Sequence, residues 1–274
     1  MTNSAAFFDL DRTLMSGSSA FYFGRAAYRE GMLPLPRLIA DATSALAFKL
    51  FGASDEKSEA VRDRILESVV GTKVETLQRL APAVTEELLG KIRPEAQALL
   101  DMHEEAGRDV WIISASPIEI VGELARAMEV TGALGTESEI IDGCYTGKLA
   151  APFCYGEGKA EHIRKLAAER GYDLAHCYSY SDSASDLPMM QVVGHPVAVN
   201  PDRPLEAVAH RRGWPIVEFN RQAKQIAKLS AATTFTVGGA VGGWALGVRQ
   251  ERRAQRRAEA ESRRLPQRLR RSGG

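Results

Sequence analysis

The sequence predicts an α/β fold, a doubly wound parallel sheet with an inserted α-helical cap. Short apolar runs that suit buried strands alternate with segments of helical periodicity, which is typical of a parallel sheet with helices on both faces. Residues 18–107 are helical and amphipathic and contain few strand signals. That stretch is too long for a connection between two strands, so it predicts a helical subdomain inserted into the sheet domain.

The first strands of the sheet are predicted on either side of this insertion. Residues 5–10, Ala-Ala-Phe-Phe-Asp-Leu, form a short apolar run that suits a buried parallel strand. The run Arg-Asp-Val-Trp-Ile-Ile-Ser-Ala-Ser-Pro (108–117) predicts a second buried strand that ends in small hydroxyl residues. Ser116 then suits the N-cap of a helix, with Pro117 at its first position and Glu119 completing a capping box.

The remaining elements follow the same alternation. Residues 139–149 predict a β-hairpin that turns at Asp142-Gly143, and residues 158–171 predict a helix that is closed by Gly171. Three further strands are predicted at His-Cys-Tyr-Ser-Tyr-Ser-Asp-Ser (176–183), His-Pro-Val-Ala-Val-Asn (195–200) and Trp-Pro-Ile-Val-Glu-Phe (214–219).

These elements define the predicted domains. The sheet domain is assigned to residues 1–17 and 108–222, and the cap to residues 18–107. Residues 229–248 form an apolar, glycine-rich segment, and residues 249–274 form a basic tail that is predicted to be disordered.

Composition narrows the class of protein. The 274 residues include 35 basic and 35 acidic side chains, but the tail holds ten Arg and three Glu, so the rest of the chain carries a net charge of −7. An acidic body argues against a nucleic-acid groove in the sheet domain. The cysteines, Cys144, Cys154 and Cys177, lack metal-ligand spacing, and the N-terminus has no signal-peptide pattern. The sequence therefore predicts a cytoplasmic body with reduced thiols.

Polar side chains end the three strongest predicted strands. Asp9 and Asp11 lie at the end of the first, Ser114 and Ser116 at the end of the second, and Asp182 with Asp186 at the end of the third. The carboxyl ends of parallel strands meet at one sheet edge, so a shared site is expected there. Clustered carboxylates without His or Cys favour Mg²⁺. One acid could attack phosphorus while its neighbour exchanges protons with the leaving group and with water.

Four ordered motifs carry a resemblance to a known family. Asp-Leu-Asp-Arg-Thr, then Ile-Ile-Ser, then a lysine in Gly-Glu-Gly-Lys, then Ser-Asp-Ser-Ala-Ser-Asp resemble the motifs of the haloacid dehalogenase superfamily. Within it, Ser-Ala-Ser-Pro, Tyr-Ser-Asp-Ser-Ala-Ser-Asp-Leu-Pro-Met-Met and Gly-His-Pro-Val-Ala-Val-Asn-Pro-Asp-Arg-Pro-Leu resemble the phosphoserine-phosphatase-like branch, subfamily IB. The match covers roughly residues 5–219 and implies a Rossmann-like core under a mobile cap.

The resemblance implies roles for the charged residues. Asp9 is expected to be the nucleophile and a metal ligand. Asp11 is expected to be the general acid/base, with its backbone carbonyl on the metal. Lys159 is expected to offset negative charge, and Asp182 to complete the Mg²⁺ site. Asp186 is expected to assist that site or to orient Lys159.

The resemblance also implies a substrate-binding set. Ser114 is expected to bind phosphate together with Ala115 and Ser185, and Thr13 to support the first loop. The cap offers Arg64, or its neighbour Arg62, for a carboxylate of the substrate.

Two departures bear on the substrate. Phosphoserine phosphatases carry Gly-Asp-Gly-x-Asn-Asp where this chain has Ser-Asp-Ser-Ala-Ser-Asp, and they place a Glu where this chain has Ser18. The acids of the metal site are retained, but the partner for a substrate ammonium group is lost. A site that lacks such a polar partner discriminates less strongly, so the expected substrate is a small phosphorylated metabolite like phosphoserine, not phosphoserine alone.

The C-terminal region leaves two interpretations open. Residues 229–248 carry no charge, reach spanning length and contain overlapping Gly-xxx-Gly pairs. Their weak hydrophobicity and the arginine-rich tail disagree with a simple span, whereas a tail on an anionic membrane surface avoids the conflict. The alternative to membrane contact through residues 229–274 is a glycine-rich linker to a disordered tail.

Two functions are compared. The first is a Mg²⁺-dependent phosphomonoesterase with an aspartyl-phosphate intermediate, and the complete set of acids favours it. The second is a regulatory or interaction protein that keeps the fold and the metal but not turnover. A dehalogenase would need the Asp9 nucleophile but not Asp11, so retention of both acids favours phosphoryl chemistry.

Overall fold

A six-stranded parallel sheet forms the centre of the protein in the computed structural model, which describes residues 3–29, 62–63, 66–67 and 69–219. Its order is β3-β2-β1-β6-β7-β8, and a separate β4-β5 hairpin stands beside it. The strands are β1 (Ala5–Asp9), β2 (Asp109–Pro117), β3 (Gly132–Thr136), β4 (Ser138–Ile141), β5 (Cys144–Leu149), β6 (Tyr178–Ser181), β7 (His195–Val199) and β8 (Ile216–Val217).

The chain winds outward from β1 in both directions, first to β2 and β3 and then to β6, β7 and β8. The predicted doubly wound α/β fold is therefore confirmed. The described helices are α1 (Ser19–Arg29), α2 (Val74–Leu89), α3 (Pro94–Glu105), α4 (Ile118–Ala127), α5 (Glu157–Arg170), α6 (Leu187–Gln191) and α7 (Arg203–Arg212). Single 3₁₀ turns occupy Leu174–His176 and Ala184–Asp186.

The sheet separates two hydrophobic cores. All five residues of β1 are buried, and alternate side chains face opposite layers. Phe8 packs in the layer that contains Leu124 of α4, whereas Phe7 packs in the layer that contains Ile163 of α5. Burial on both faces explains why the β1 sequence is continuously apolar up to Asp9.

A buried polar network fixes α3 beneath the sheet. His103 is fully buried, its Nε2 lies 2.7 Å from Tyr180 Oη, and Arg108 Nε donates to its Nδ1 at 2.6 Å. Because Nδ1 accepts, the ring is neutral and Nε2–H donates to Tyr180. Burial, with Arg108 nearby, lowers the His103 pKa to about 4. We propose that α3, which also packs on β2, belongs with the sheet domain although the sequence assigns it to the cap.

Several local predictions can be compared with the structure. The hairpin turn is confirmed, with Asp142 at φ 51° and Gly143 at φ 74°, and Gly171 ends α5 in a left-handed conformation. The capping box at Ser116 is wrong: β2 continues to Pro117, and the Ser116 hydroxyl lies 2.8 Å from the Ser19 hydroxyl. That contact replaces a helix cap.

No helix within residues 3–29 and 69–219, or in the short described pieces between them, is long and apolar enough to cross a membrane. The segment 229–274, for which membrane contact is predicted, lies outside the described residues.

Candidate active site

The predicted polar residues meet at the carboxyl edge of β2, β1 and β6. Asp9 is paired with Ile113 in the register of β1 and β2, and Phe8 is paired with Tyr180 in the register of β1 and β6. Ser114 and Asp182 therefore flank Asp9 on its two sides. The edge lies where the winding of the sheet reverses direction, which is where open α/β sheets bind ligands.

A buried lysine joins two of the acids. Lys159 is 3% exposed, and its Nζ lies 2.6 Å from Asp9 Oδ1 and 2.9 Å from Asp186 Oδ1. Burial alone would lower the Lys159 pKa, but the charges of Asp186 and Asp9 outweigh it and raise the pKa. Lys159 is therefore a fixed positive charge at the centre of the site.

Glycine allows α5 to bring this lysine into the site. Gly156 precedes the helix at φ 54°, a left-handed conformation that favours glycine. At Gly158 a Cβ atom would lie 1.9 Å from the Phe153 carbonyl oxygen, so only glycine fits the present backbone. The two glycines of Gly-Glu-Gly-Lys thus allow the first turn of α5 to lie close to the backbone at Phe153.

Both carboxylate oxygens of Asp9 accept hydrogen bonds from side chains. Lys159 binds Oδ1, and the Thr13 hydroxyl donates to Oδ2 at 3.0 Å. Burial raises the Asp9 pKa to about 8; Lys159 opposes this rise, whereas Asp186, Asp182 and Asp11 add to it. The carboxyl thus has a fixed orientation and lies in a field of excess negative charge.

Asp11 lies at the start of α1. Its Oδ1 accepts from Ser19 N at 2.6 Å, so the carboxylate satisfies a backbone donor of the first helical turn. Burial raises the Asp11 pKa, and hydrogen bonds from the backbone and hydroxyl of Ser19 oppose that rise. Within the described ranges, the hydrogen bonds to the Asp11 carboxyl all come from Ser19.

Asp182 contacts a cation that sequence analysis did not single out. Arg12 adopts a left-handed conformation (φ 61°) and directs its Nε to Asp182 Oδ2 at 2.8 Å. Burial raises the Asp182 pKa to about 7; Arg12 opposes the rise, and Asp186 and Asp202 increase it. The Asp182 carbonyl accepts from Asp202 N at 2.7 Å, which ties the end of β6 to the start of α7.

Serine hydroxyls organise the loop that follows β6. Ser181 donates to Asp186 Oδ2 at 2.6 Å and accepts from Ser183 N at 3.2 Å. Ser185 lies 3.0 Å from the Ser183 hydroxyl, so its hydroxyl is engaged within the loop. Asp202 accepts from Ser183 and from Ala184 N.

The opposite side of the site is formed by β2. Ser114 is buried, and its Oγ accepts from Ser116 N at 3.2 Å. The Ala115 carbonyl accepts from the Thr136 hydroxyl at 2.7 Å, which fixes the strand end. Arg64 lies outside the described residues.

The donor set fits a hard divalent cation by its charge. Four carboxylates, Asp9, Asp11, Asp182 and Asp186, converge on two cations, Lys159 and Arg12. When all four are ionised, two negative charges remain uncompensated, and Mg²⁺ would balance them. Among the described residues, no three acidic, His or Cys side chains form a metal-holding group by themselves. A site built from two carboxylates and a backbone carbonyl does not require one.

Sequence reasoning missed Arg12 and Ser19. Arg12 stands inside the first motif, and a cation directly after the two acids was the available signal. Ser19 had no signal of its own, because its partner Ser116 is 97 residues away in the chain.

Comparisons with known proteins show which family and which relatives the chain resembles. Residues 6–191 match the model of the haloacid dehalogenase-like hydrolase family. The chain is 40% identical over 245 residues to "Probable phosphatase Rv3661" of Mycobacterium tuberculosis (strain ATCC 25618 / H37Rv), covering 86% of this chain and 84% of that protein. It is 37% identical over 255 residues to "Phosphoserine phosphatase SerB1" of the same strain, covering 92% and 82%.

A solved structure supports the fold. The protein of unknown function from Bordetella pertussis Tohama I superposes with a TM-score of 0.69 at 24% identity, covering 79% of this chain and 99% of that one. The fold, the site and these similarities define a phosphoric monoester hydrolase. The chain belongs to the haloacid dehalogenase-like hydrolase family.

Proposed function

We propose that this phosphatase depends on Mg²⁺ and hydrolyses small phosphorylated metabolites through an aspartyl phosphate on Asp9. The observation that carries the proposal is the fixed Asp9 carboxylate, bound by Lys159 and Thr13 at the sheet edge, with Asp11 two residues further on. A carboxylate that is buried and oriented by two donors suits attack on phosphorus.

In the first step an Asp9 oxygen attacks phosphorus and the bond from phosphorus to the ester oxygen breaks. Asp11 gives its proton to that leaving oxygen. In the second step water attacks phosphorus, Asp11 takes a proton from the water, and the bond from phosphorus to Asp9 breaks. Phosphate leaves and both acids return to their starting states.

The other residues stabilise charge during these steps. The Ser114 hydroxyl would donate to a phosphate oxygen, and Lys159 would offset the charge that remains on Asp9 and the phosphoryl group. Mg²⁺, held by the Asp9 and Asp182 carboxylates and the Asp11 carbonyl, would supply charge neutralisation for the phosphate. Asp186, whose oxygens both contact Lys159, would orient that lysine.

The substrate class is proposed from a relative and from the chain itself. A relative named phosphoserine phosphatase supports a phosphoserine-like metabolite. Ser18, which stands where those enzymes place a Glu, is exposed and supplies no charge for an ammonium group. We therefore propose a broader preference for small phosphomonoesters. The cytoplasmic location and the membrane contact of residues 229–274 stay predictions.

Release of phosphate from p-nitrophenyl phosphate tests the proposal. We expect turnover that requires Mg²⁺ and stops in EDTA, is abolished in Asp9→Asn, and falls at least 100-fold in Asp11→Asn, since general acid–base catalysis contributes about 10²–10⁴-fold. Asp142→Asn is the matched control, because Asn-Gly suits the same exposed turn. Full turnover in Asp9→Asn would exclude the aspartyl phosphate, and full turnover in Asp11→Asn would exclude the acid/base role. A panel of phosphorylated metabolites, including phosphoserine and phospholipid headgroup esters, then defines the substrate.

A further inference from the structure

A chain of hydrogen bonds connects the acid/base side of the site to its phosphate side. Ser19 N donates to Asp11 Oδ1 at 2.6 Å, the Ser19 and Ser116 hydroxyls lie 2.8 Å apart, and Ser116 N donates to Ser114 Oγ at 3.2 Å. The three serines are buried, with exposures of 1% for Ser19, 9% for Ser116 and 2% for Ser114. These hydrogen bonds therefore join the loop after β1 and the start of α1 to the carboxyl end of β2 through buried serines.

Helix capping does not explain the hydroxyl pair. Asp11 satisfies the Ser19 backbone donor, and α4 begins after Pro117 without a side-chain cap. A hydroxyl that only ended a strand or began a helix would bond its own backbone. The hydroxyls of Ser19 and Ser116 instead reach across 97 residues of sequence to each other.

The direction of the bonds follows from the number of protons. The Ser19 hydroxyl also bonds the Asp11 carboxyl, and a hydroxyl has one proton to donate. In the proposed mechanism the Asp11 proton goes to the leaving group, so toward Ser19 the carboxyl accepts; Ser19 therefore donates to Asp11 and accepts from Ser116. Loss of the Ser116 hydroxyl removes one bond, whereas loss of the Ser19 hydroxyl removes that bond and the one to Asp11.

We propose that Ser19 and Ser116 are positioning residues that hold Asp11 in place relative to Ser114. The inference rests on the proposed function, in which Asp11 exchanges the proton and Ser114 binds phosphate. Ser19 is the first residue of α1, the helix that leads into the predicted cap. Its contact with Asp11 therefore connects the start of the cap to the proposed acid/base residue. A small displacement of a proton donor lowers the rate of the chemical step more than it weakens binding.

A double-mutant cycle tests the proposal with p-nitrophenyl phosphate and saturating Mg²⁺. We expect kcat to fall about fivefold in Ser116→Ala and about tenfold in Ser19→Ala, which is the range for one or two hydrogen bonds. The double variant should stay within about twofold of Ser19→Ala, since both substitutions break the same link. KM should change by less than about twofold in each.

The control is Ser16→Ala, which alters an exposed serine three residues before Ser19 and should leave kcat unchanged. Circular dichroism at the assay temperature confirms that each variant is folded, so that kcat refers to native protein. The positioning role is refuted if the two losses multiply to about fiftyfold in the double variant, if kcat is unchanged in both single variants, or if Ser16→Ala loses as much activity as Ser19→Ala. Asp9→Asn is measured in parallel: turnover in that variant refutes the proposed mechanism, whereas an inactive Asp9→Asn with multiplying serine effects refutes the positioning role alone.

Discussion

Replacement of Lys159 by Met should destabilise the protein strongly, because it removes the cation between two buried acids. Asp9 and Asp186 lie 2.6 and 2.9 Å from the lysine Nζ and are 7% and 3% exposed, so water cannot replace the lost charge. Removal of one partner from a buried ion pair costs about 3–5 kcal/mol. For a domain of this size that free energy corresponds to a decrease in Tm of roughly 6–20 °C.

The loss of stability in Lys159→Met should also depend on pH. Lys159 lowers the pKa of Asp9, so in Lys159→Met that pKa lies even further above its ordinary value of 3.8. Above about pH 4 the folded variant then binds more protons than the unfolded chain, and its stability falls as pH rises. The wild type shows the same fall up to about pH 8, because its own Asp9 pKa is about 8, so we expect similar deficits at pH 5 and pH 7 and a larger deficit at pH 9.

Thermal and urea unfolding in EDTA, followed by circular dichroism, measure this effect. Lys165→Met is the matched control, since Lys165 lies on the exposed face of the same helix and its loss should change stability by less than about 0.5 kcal/mol. Adding Asp186→Asn to Lys159→Met should recover about 1–2 kcal/mol, because it removes one uncompensated charge. A deficit in Lys159→Met no larger than in Lys165→Met would show that the buried ion pair does not have the assigned role.

Three further predictions concern the rest of the described structure. In EDTA the Tm should fall as pH rises from 5 to 8, because burial raises the pKa values of Asp9 and Asp182 to about 8 and 7. Mg²⁺ should reduce that fall, and equal slopes of Tm against pH with and without Mg²⁺ would contradict the prediction. His103→Ala should cost about 2–4 kcal/mol at pH 7, and this deficit should shrink as the pH falls from 6.5 to 4, because His103 takes up a proton in the unfolded wild type but not in the folded one. Urea unfolding of both proteins at both pH values measures this. Gly158→Ala should destabilise the protein by about 1–3 kcal/mol because its Cβ meets a carbonyl oxygen, whereas Gly122→Ala, whose Cβ has nothing within 4 Å, should stabilise α4 by about 0.5–1 kcal/mol. Thermal unfolding measures both, and a change of Tm in the same direction in the two variants would refute this contrast.

The fold could be predicted because local patterns and tertiary packing agree. The β1 sequence is continuously apolar since both faces of that strand are buried. Asp142-Gly143 suits a two-residue hairpin turn in any context, and Gly171 suits the left-handed end of a helix. Each of these signals depends on neighbours in sequence, so no long-range contact was needed to find it.

The contacts that organise the site could not be predicted in the same way. Ser116 carries a capping-box pattern, but its hydroxyl contacts Ser19 from another part of the chain. Arg12 bonds Asp182 across the sheet edge, 170 residues away in sequence. In each case a partner brought close by the parallel sheet decides the role of the side chain. Motif order was enough to place the acids at one edge, but it did not show which polar groups hold them.

Ser181, the last residue of β6, helps to distinguish the roles of Asp182 and Asp186. Ser181 binds Asp186 Oδ2, and Lys159 contacts both oxygens of that carboxylate, so Asp186 is already saturated by donors from the protein. Asp182 gives only Oδ2 to Arg12, and within the described ranges its Oδ1 accepts no hydrogen bond. Asp182 can bind a cation through Oδ1 without loss of an existing contact, and each oxygen of Asp9 accepts from only one donor and keeps a lone pair. Asp186 Oδ2, in contrast, already accepts from both Lys159 and Ser181. This difference favours Asp182 as the metal ligand and Asp186 as the residue that orients the lysine.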